Sequence, residues 1–179
     1  MKRIPSDFVL EKYGLKCRLV QEEDAPFILE LRTDKSLSKY VHAVDNSIEV
    51  QIEWIRNYKE REKKGEDYYF IYFSNERPVG VNRIYNITES SSTGGSWICR
   101  KDATVEESIA TCFIQTEIED EFDIPPGPFT VSKGNNQVLK FHLRMGADII
   151  SENEKEYTLL RNKEKYEKAK NKYIKLLNL

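Results

Sequence analysis

The stretch of this sequence best suited to chemistry is Gly94 to Phe122, GGSWICRKDATVEESIATCFIQTEIEDEF. Trp97 to Cys99 suit a half-buried strand, and the polar run from Lys101 to Thr104 ends it. Apolar residues then recur at helical spacing, at Val105, Ile109 and Phe113, and at Ala110, Ile114, Ile118 and Phe122. Because a helix start presents unpaired backbone N–H groups and a positive dipole end, this strand, turn and helix predict a site for an anion such as a phosphate.

The same helix start carries groups that oppose an anion. Thr104 and Glu107 have the T-x-x-E form of a capping box, in which the two side chains would occupy the free N–H groups themselves. Glu106 and Glu107 also add negative charge, and at roughly 4 to 6 Å each would cost on the order of 1 to 4 kcal/mol against a phosphate. Arg100 and Lys101 offset part of that charge.

Three cysteines are the remaining reactive candidates, but their spacing does not indicate a disulfide framework. They are far apart and form no CxxC, and with only two histidines, His42 and His142, we expect no metal site. Cys99 could be a nucleophile, but no histidine is near it in sequence, so we interpret Cys17, Cys99 and Cys112 as buried thiols in a reducing cytosol.

The composition predicts one globular domain covering residues 1–179. Hydrophobic residues make up 39% of the 179, charged residues make up 32%, and the formal net charge is −2. This charge indicates neither a nucleic-acid partner nor an anionic membrane. The first residues do not resemble a signal peptide, and no apolar run reaches membrane-spanning length, so we expect a soluble cytoplasmic protein.

The remaining elements follow from spacing and from turn and cap residues. After a loose first dozen residues, we expect a strand at 15–20, a helix to about Arg32, and a second helix between the cap Ser47 and Gly65. A hairpin is predicted at 67–73 and 78–87, with Gly80 at a bulge or close approach, and then a loop at 90–95. Later elements are a strand at 129–132, a helix capped by Asn135 or Asn136 and ended by Gly146, strands at 147–150 and 157–160, and a C-terminal helix at about 162–177.

This order of elements resembles the GNAT superfamily of acyl-CoA-dependent N-acyltransferases from about Leu15 to Leu160. The segments that carry the resemblance are LKCRLVQEEDAPFILELR, GGSWICRKDATVEESIA and NNQVLKFHLRMGADI. The last is the most specific, because it keeps the family's spacing of Asn135, Val138, His142 and Gly146. The resemblance implies an α+β, three-layer fold whose mixed, mostly antiparallel central sheet is flanked by helices and splayed at its middle, between 96–100 and 129–132.

In that family the gap in the sheet holds the thioester and pantetheine arm of acetyl-CoA, the acyl donor. The pyrophosphate lies on the turn before the central helix, where the usual pattern is Gln or Arg, any two residues, Gly, any residue, then Gly or Ala. The corresponding residues here are Val105, Glu106, Glu107, Ser108, Ile109 and Ala110. Only Ala110 fits outright, and Ser108 is a small substitute for a glycine that would let a phosphate approach more closely.

The resemblance also implies roles in acyl transfer. His142 holds the position of the family's proton-donating tyrosine, and an imidazole with an ordinary pKa near 6.5 could serve there; the alternative is a core or rim histidine. A backbone N–H of the central strand, at Ile98, Cys99 or Arg100, would polarise the thioester carbonyl. Asn135 would contact the pantetheine arm or simply cap its helix.

The acceptor is expected to be a small-molecule amine. Candidate pocket residues are Tyr40, His42, Tyr69, Arg83, Tyr85 and Trp97, although aromatic residues in strands are equally typical of a core. The sequence looks most like the bacterial branch that acetylates nucleotide-linked amino sugars. The alternatives are a protein N-terminal acetyltransferase and an inactive GNAT-like binding or structural module. A homodimer is compatible with the sequence, which does not determine the oligomeric state.

Overall fold

A computed structural model describes residues 1–41 and 44–179 of the chain, so His42 lies outside the described residues. The described parts contain eight strands and five α-helices. The strands are β1 (Val9–Lys12), β2 (Leu15–Leu19), β3 (Asp67–Ser74), β4 (Arg77–Tyr85), β5 (Thr93–Cys99), β6 (Phe129–Ser132), β7 (Ala147–Glu152) and β8 (Glu156–Arg161). The helices are α1 (Ala25–Thr33), α2 (Ile48–Lys64), α3 (Val105–Glu121), α4 (Asn136–Arg144) and α5 (Lys163–Leu177).

The strands form two antiparallel sheets. The first has the order β1-β2-β3-β4-β5 and the second has the order β6-β8-β7. Strands β5 and β6 are neighbouring edge strands without ladder hydrogen bonds between them, so the sheet is split at its middle. The predicted α+β class and the splay between residues 96–100 and 129–132 are confirmed.

Helices cover both faces of the first sheet because its side chains alternate. On one face, Tyr68, Phe70 and Tyr72 of β3 join a buried cluster with Ala110, Ile114 and Ile118 of α3. On the other face, Tyr69 and Ile71 join a cluster with residues of α1 and α2. The result is the expected three-layer arrangement. None of the helices in the described parts of the chain has the length and apolar character needed to span a bilayer.

Local sequence signals account for most element ends. Ser47 accepts a hydrogen bond from the N–H of Val50, and α2 ends at Gly65, whose φ of 79° is left-handed. Asn135 caps α4 by accepting from the N–H of Val138 at 3.3 Å, and Gly146, at φ 82°, follows the helix. Gly80 is a close approach, since a Cβ there would lie 2.7 Å from Sγ of Cys99.

Three expectations about the elements are wrong. The first dozen residues are not loose, because a two-residue turn at Tyr13 and Gly14, both with positive φ, pairs β1 with β2. The loop at 90–95 is shorter than expected: β5 begins at Thr93 and forms a bulge at Ser96, with φ 51°. Val105 is not buried but 64% exposed, because it lies in the first turn of α3.

Candidate active site

A cavity of about 540 Å³ occupies the gap between β5 and β6. Its walls are the residues of both strands, the inner side of α3 and the side of α4 that carries Val138, Phe141 and His142. We call this cavity the cleft. Tyr40, Tyr85, Trp97, Ile98, Cys99, Ser108, Asn135 and His142 line it, so the structure brings together these eight of the predicted site residues.

The cleft reaches both faces of the sheet. On the α3 face, Nε1 of Trp97 donates to Oγ1 of Thr111 at 2.9 Å. On the α2 face, a Cβ on Gly95 would lie 3.0 Å from the ring of Tyr85, so this tyrosine covers the opposite side of β5. Two reactants can therefore enter this gap from opposite faces and meet inside it.

The free edge of β5 offers backbone donors to a ligand in the cleft. The N–H of Arg100 donates to the carbonyl of Val79 in β4 at 2.9 Å. Because N–H directions alternate along a strand, the N–H of Ile98 also faces β4 and that of Cys99 faces β6. Of the three predicted carbonyl-polarising positions, Cys99 alone directs its N–H toward the cleft; for Ile98 and Arg100 that expectation is wrong.

The capping box at the start of α3 is confirmed. The N–H of Thr104 donates to Oε2 of Glu107 at 2.9 Å, and the N–H of Glu107 donates to Oγ1 of Thr104 at 3.1 Å. The first four N–H groups of a helix lack intrahelical partners, so the N–H groups of Val105 and Glu106 are left for an anion. Ser108 N–H is already bonded to the carbonyl of Thr104.

The three residues in the second half of the cofactor pattern therefore offer no free backbone N–H groups to a phosphate. Ser108, Ile109 and Ala110 lie within α3, where their N–H groups belong to the helix ladder. Ile109 and Ala110 are also buried in the core. Direct contact of these two residues with the cofactor was the wrong expectation, whereas the Ser108 side chain does face the cleft.

Most of the charges at this helix start are paired, and Glu106 is the exception among the residues described there. Nη2 of Arg77 lies 2.8 Å and 2.9 Å from the two carboxylate oxygens of Glu107. Partial burial raises the pKa of Glu107, but the Thr104 N–H and the Arg77 guanidinium outweigh it and lower that pKa below its ordinary value. Arg100 pairs with Asp102, and Glu106 stays exposed. Glu107 is thus an ionised carboxylate with a neutralising partner.

His142 faces the cleft within an aromatic environment. Its ring centroid lies 4.7 Å from that of Phe129, 5.2 Å from that of Phe141 and 6.1 Å from that of Trp97. Burial, and secondarily the charge of Arg161, lower the pKa of His142 to about 4. The ordinary pKa near 6.5 expected for this imidazole is therefore wrong, and His142 is neutral near pH 7.

A buried ion pair lines the cleft beside His142, and the sequence did not reveal it. Nη2 of Arg161 donates to Oε2 of Glu119 at 2.5 Å, and Nε2 of Gln115 donates to Oε1 of Glu119 at 2.8 Å. Glu119 is only 4% exposed. No local pattern could have joined Glu119 to Arg161, because they lie on α3 and β8.

Two predicted acceptor residues lie away from the cleft. Tyr69 is 1% exposed and packs edge-on against Trp54 and Tyr58 in the core beneath α2. Arg83 donates to both carboxylate oxygens of the buried Asp67 and lies over the rings of Trp54 and Tyr85. Tyr69 therefore belongs to the core. Arg83 packs against the ring of Tyr85 and does not line the cleft itself.

The thiols near the cleft are neutral at neutral pH. Burial raises the pKa of Cys99 and that of Cys112, and no cysteine is disulfide-bonded. Both thiols are half-buried in the wall of the cleft. A neutral thiol is a poor nucleophile, which favours direct transfer between two bound reactants over a covalent enzyme intermediate. Among the described residues, no cluster of His, Cys, Asp and Glu could hold a metal ion.

These features fit an acyl-CoA. The long gap beside the free edge of β5 suits an extended pantetheine arm, and the Cys99 N–H is directed into this gap. The two free N–H groups at the start of α3 suit a pyrophosphate. Asn135 lines the gap with its side-chain oxygen already bonded to Val138, so its amide N–H₂ is the group left for a ligand.

Comparison with known proteins gives a consistent result. No family model and no curated protein matches the chain. Among solved structures, apo FdhC, described as a nucleotide-linked sugar GNAT, is 37% identical with a TM-score of 0.81, covering 93% of this chain and 97% of that one. The Vibrio cholerae spermidine N-acetyltransferase in complex with CoA and spermine has 13% identity and a TM-score of 0.71, covering 87% of this chain and 99% of that one. Campylobacter jejuni N-acetyltransferase PseH has 19% identity and a TM-score of 0.61, covering 82% and 96%. The last two similarities show the fold alone.

Proposed function

Because this chain belongs to the GNAT superfamily of N-acetyltransferases, which use acetyl-CoA as acyl donor, we propose that it acetylates the primary amine of a nucleotide-linked amino sugar. One observation carries the proposal: 37% identity, over nearly the full length of both chains, to a GNAT described as acting on nucleotide-linked sugars. Acetyl transfer to a small-molecule amine is the general activity, and the nucleotide-linked sugar is the specific acceptor that we propose.

The cleft is open on both faces of the sheet, which supports separate entry of donor and acceptor. The donor would enter on the α3 face, where the helix start lies, and would reach the Cys99 N–H in the gap between β5 and β6. The acceptor would enter on the α2 face past Tyr40 and Tyr85. Beyond Tyr40 the cleft continues into an outer groove of about 700 Å³ formed with the β7–β8 turn. A bulky acceptor needs such a groove, whereas a simple amine does not.

The reaction forms an amide C–N bond and breaks the thioester C–S bond. The bound acetyl-CoA supplies the electrophilic carbonyl. Cys99 N–H would stabilise the oxyanion that develops on that carbonyl. The amine loses one proton and the departing thiolate gains one. Neutral His142 has one N–H donor and one acceptor nitrogen, so we propose that it donates to the departing sulfur and relays this proton.

A cytoplasmic, bacterial enzyme is part of the same proposal. Three free cysteines are typical of a reducing compartment, where acyl-CoA is also available. We propose no nucleic-acid or membrane partner, because the net charge is only −2. The assembly that we propose is a homodimer, which light scattering would test. The cleft does not depend on this assembly, since residues of one chain line it.

The acceptor class can be tested with a panel assay. Release of free CoA from acetyl-CoA would be measured with a nucleotide-linked amino sugar, spermidine and a short peptide with a free N-terminus. We expect release with the nucleotide-linked sugar at a kcat/KM well above the others. Faster release with the peptide or with spermidine would replace the proposed acceptor, and no release together with no acetyl-CoA-dependent rise in Tm would contradict activity itself.

A further inference from the structure

The carboxylate of Glu107 is enclosed by donors at the start of α3. Besides the Thr104 N–H and Nη2 of Arg77, the hydroxyl of Ser74 lies near enough to help lower its pKa. Arg77 begins β4, just after the β3–β4 turn, so a different layer of the fold supplies this cation. The Glu107 side chain is only 14% exposed, which limits screening by solvent.

Arg77 is placed to neutralise the helix start. Its Nη1 also lies 3.4 Å from Oδ2 of Asp102, whose other oxygen accepts from Nε of Arg100 at 2.7 Å. Lys101 pairs with Asp34 instead, and its Nζ lies 2.6 Å from Oδ2 of that residue. The cations nearest the turn are therefore each paired with a carboxylate, and Arg77 is the one bound to the carboxylate that caps α3.

We propose that Arg77 is a positioning residue for acyl-CoA. It holds the Glu107 carboxylate against the N-cap and cancels its charge, so that the Val105 and Glu106 N–H groups can donate hydrogen bonds to a pyrophosphate although the usual glycines are missing. This proposal requires acyl-CoA binding at α3 but does not depend on which amine is the acceptor. It also explains how an acidic residue can occupy this helix start without abolishing binding.

Two other arrangements predict different behaviour. If Arg77 contacts the pyrophosphate directly, replacing Arg77 weakens CoA binding whether position 107 is Glu or Gln. If the Glu107 carboxylate instead occupies the phosphate position and must be displaced, removing its charge tightens binding strongly. In the proposed arrangement the loss of Arg77 matters only while Glu107 is charged, so the two substitutions are coupled.

The test is a double-mutant cycle on the full chain. The Kd of CoA would be measured by calorimetry for the wild type, Arg77→Gln, Glu107→Gln and the double variant, at low and high salt. Glutamine at 107 preserves the capping box. The matched control is Arg56→Gln, since Arg56 forms an exposed pair with Glu22 far from α3. Melting temperatures show whether each variant is folded.

We expect Arg77→Gln to raise the Kd roughly tenfold, with less effect at high salt, because the unpaired Glu107 carboxylate would then repel the phosphate. The double variant should bind CoA like the wild type, and Glu107→Gln should bind it as tightly or at most a few-fold more tightly at low salt, because Arg77 then keeps only its contact with Asp102. A double variant as weak as Arg77→Gln would overturn the proposal in favour of direct contact. A much tighter Glu107→Gln would overturn it in favour of displacement. Since no acceptor is present, a wrong acceptor assignment cannot produce either result.

Discussion

The hydroxyl of Tyr40 donates a hydrogen bond of 2.6 Å to the carbonyl oxygen of Gly134. This bond connects the segment after α1 with the turn between β6 and α4, across the gap where β5 and β6 are unpaired. A Cβ on Gly134 would lie 3.0 Å from the Tyr40 ring. Tyr40 thus forms one side of the opening through which the proposed acceptor enters.

Removing that hydroxyl should affect the acceptor more than the donor. A hydrogen bond contributes about 0.5–1.5 kcal/mol net, so we expect Tyr40→Phe to raise the KM of the acceptor about two- to tenfold. The Kd of CoA should not change. Steady-state kinetics with Tyr173→Phe as a control on α5 would check this. An unchanged KM would mean that Tyr40 does not shape the acceptor site.

Replacing His142 should slow turnover. Loss of a proton-transferring group typically costs about 10²- to 10⁴-fold, so we expect His142→Phe to lower kcat at least tenfold. Phenylalanine preserves packing against Phe129 and Trp97, and CoA affinity should be retained. A variant with wild-type kcat would show that His142 only packs in the wall of the cleft.

The lowered pKa of His142 also predicts a pH dependence of stability. Between about pH 6.5 and about pH 4 the unfolded chain binds a proton on this imidazole and the folded chain does not. His142 therefore stabilises the fold fully above pH 6.5, and this contribution falls as the pH drops toward 4. Urea unfolding at pH 4.5 and 7 should show a smaller loss for His142→Phe than for the wild type; equal losses would contradict the shifted pKa.

At the start of α3, Glu106 is the acidic residue for which the described parts of the chain, 1–41 and 44–179, show no ion pair. We expect Glu106→Gln to tighten CoA binding a few-fold at low salt, because it removes an exposed charge from the start of α3. Glu121→Gln, at the other end of the helix, is the matched control. Unchanged CoA affinity would show that the Glu106 side chain points away from the pyrophosphate.

The Glu119–Arg161 pair should be important for stability. Removing one partner of a buried pair leaves an uncompensated charge, which costs about 3–5 kcal/mol, so Glu119→Leu should lower the free energy of unfolding by that order. Asp120→Asn removes an exposed partner of Lys163 and should cost at most about 1 kcal/mol. Similar small losses in both variants would show that Arg161 finds another partner or solvent.

Structural features that depend only on residues close together in the sequence could be predicted. The Thr104–Glu107 capping box, the Asn135 cap and the left-handed Gly146 each depend on groups at most three residues apart or on a single backbone angle. Their interactions form once the helix forms. Strand β1 was missed because its partner and turn had to be recognised together.

Features that depend on distant parts of the chain could not be predicted. Arg77 and Glu107 lie 30 positions apart, and Glu119 and Arg161 lie 42 apart. The sequence therefore indicated a repulsive Glu107, and only the fold shows the cation that neutralises it. Likewise, Tyr69 and Tyr85 look alike in sequence, but the register of β3 and β4 buries the first and exposes the second to the cleft.

The central claim is acetylation of a nucleotide-linked amino sugar, and product analysis tests it most directly. The protein would be incubated with acetyl-CoA and a nucleoside-diphosphate-linked amino sugar, and in parallel with the free amino sugar, and the products examined by mass spectrometry and NMR. We predict that one acetyl group is added to the nitrogen of the intact nucleotide sugar, with a much higher kcat/KM than for the free sugar. Equal rates with both sugars, or acetylation of neither, would contradict the account.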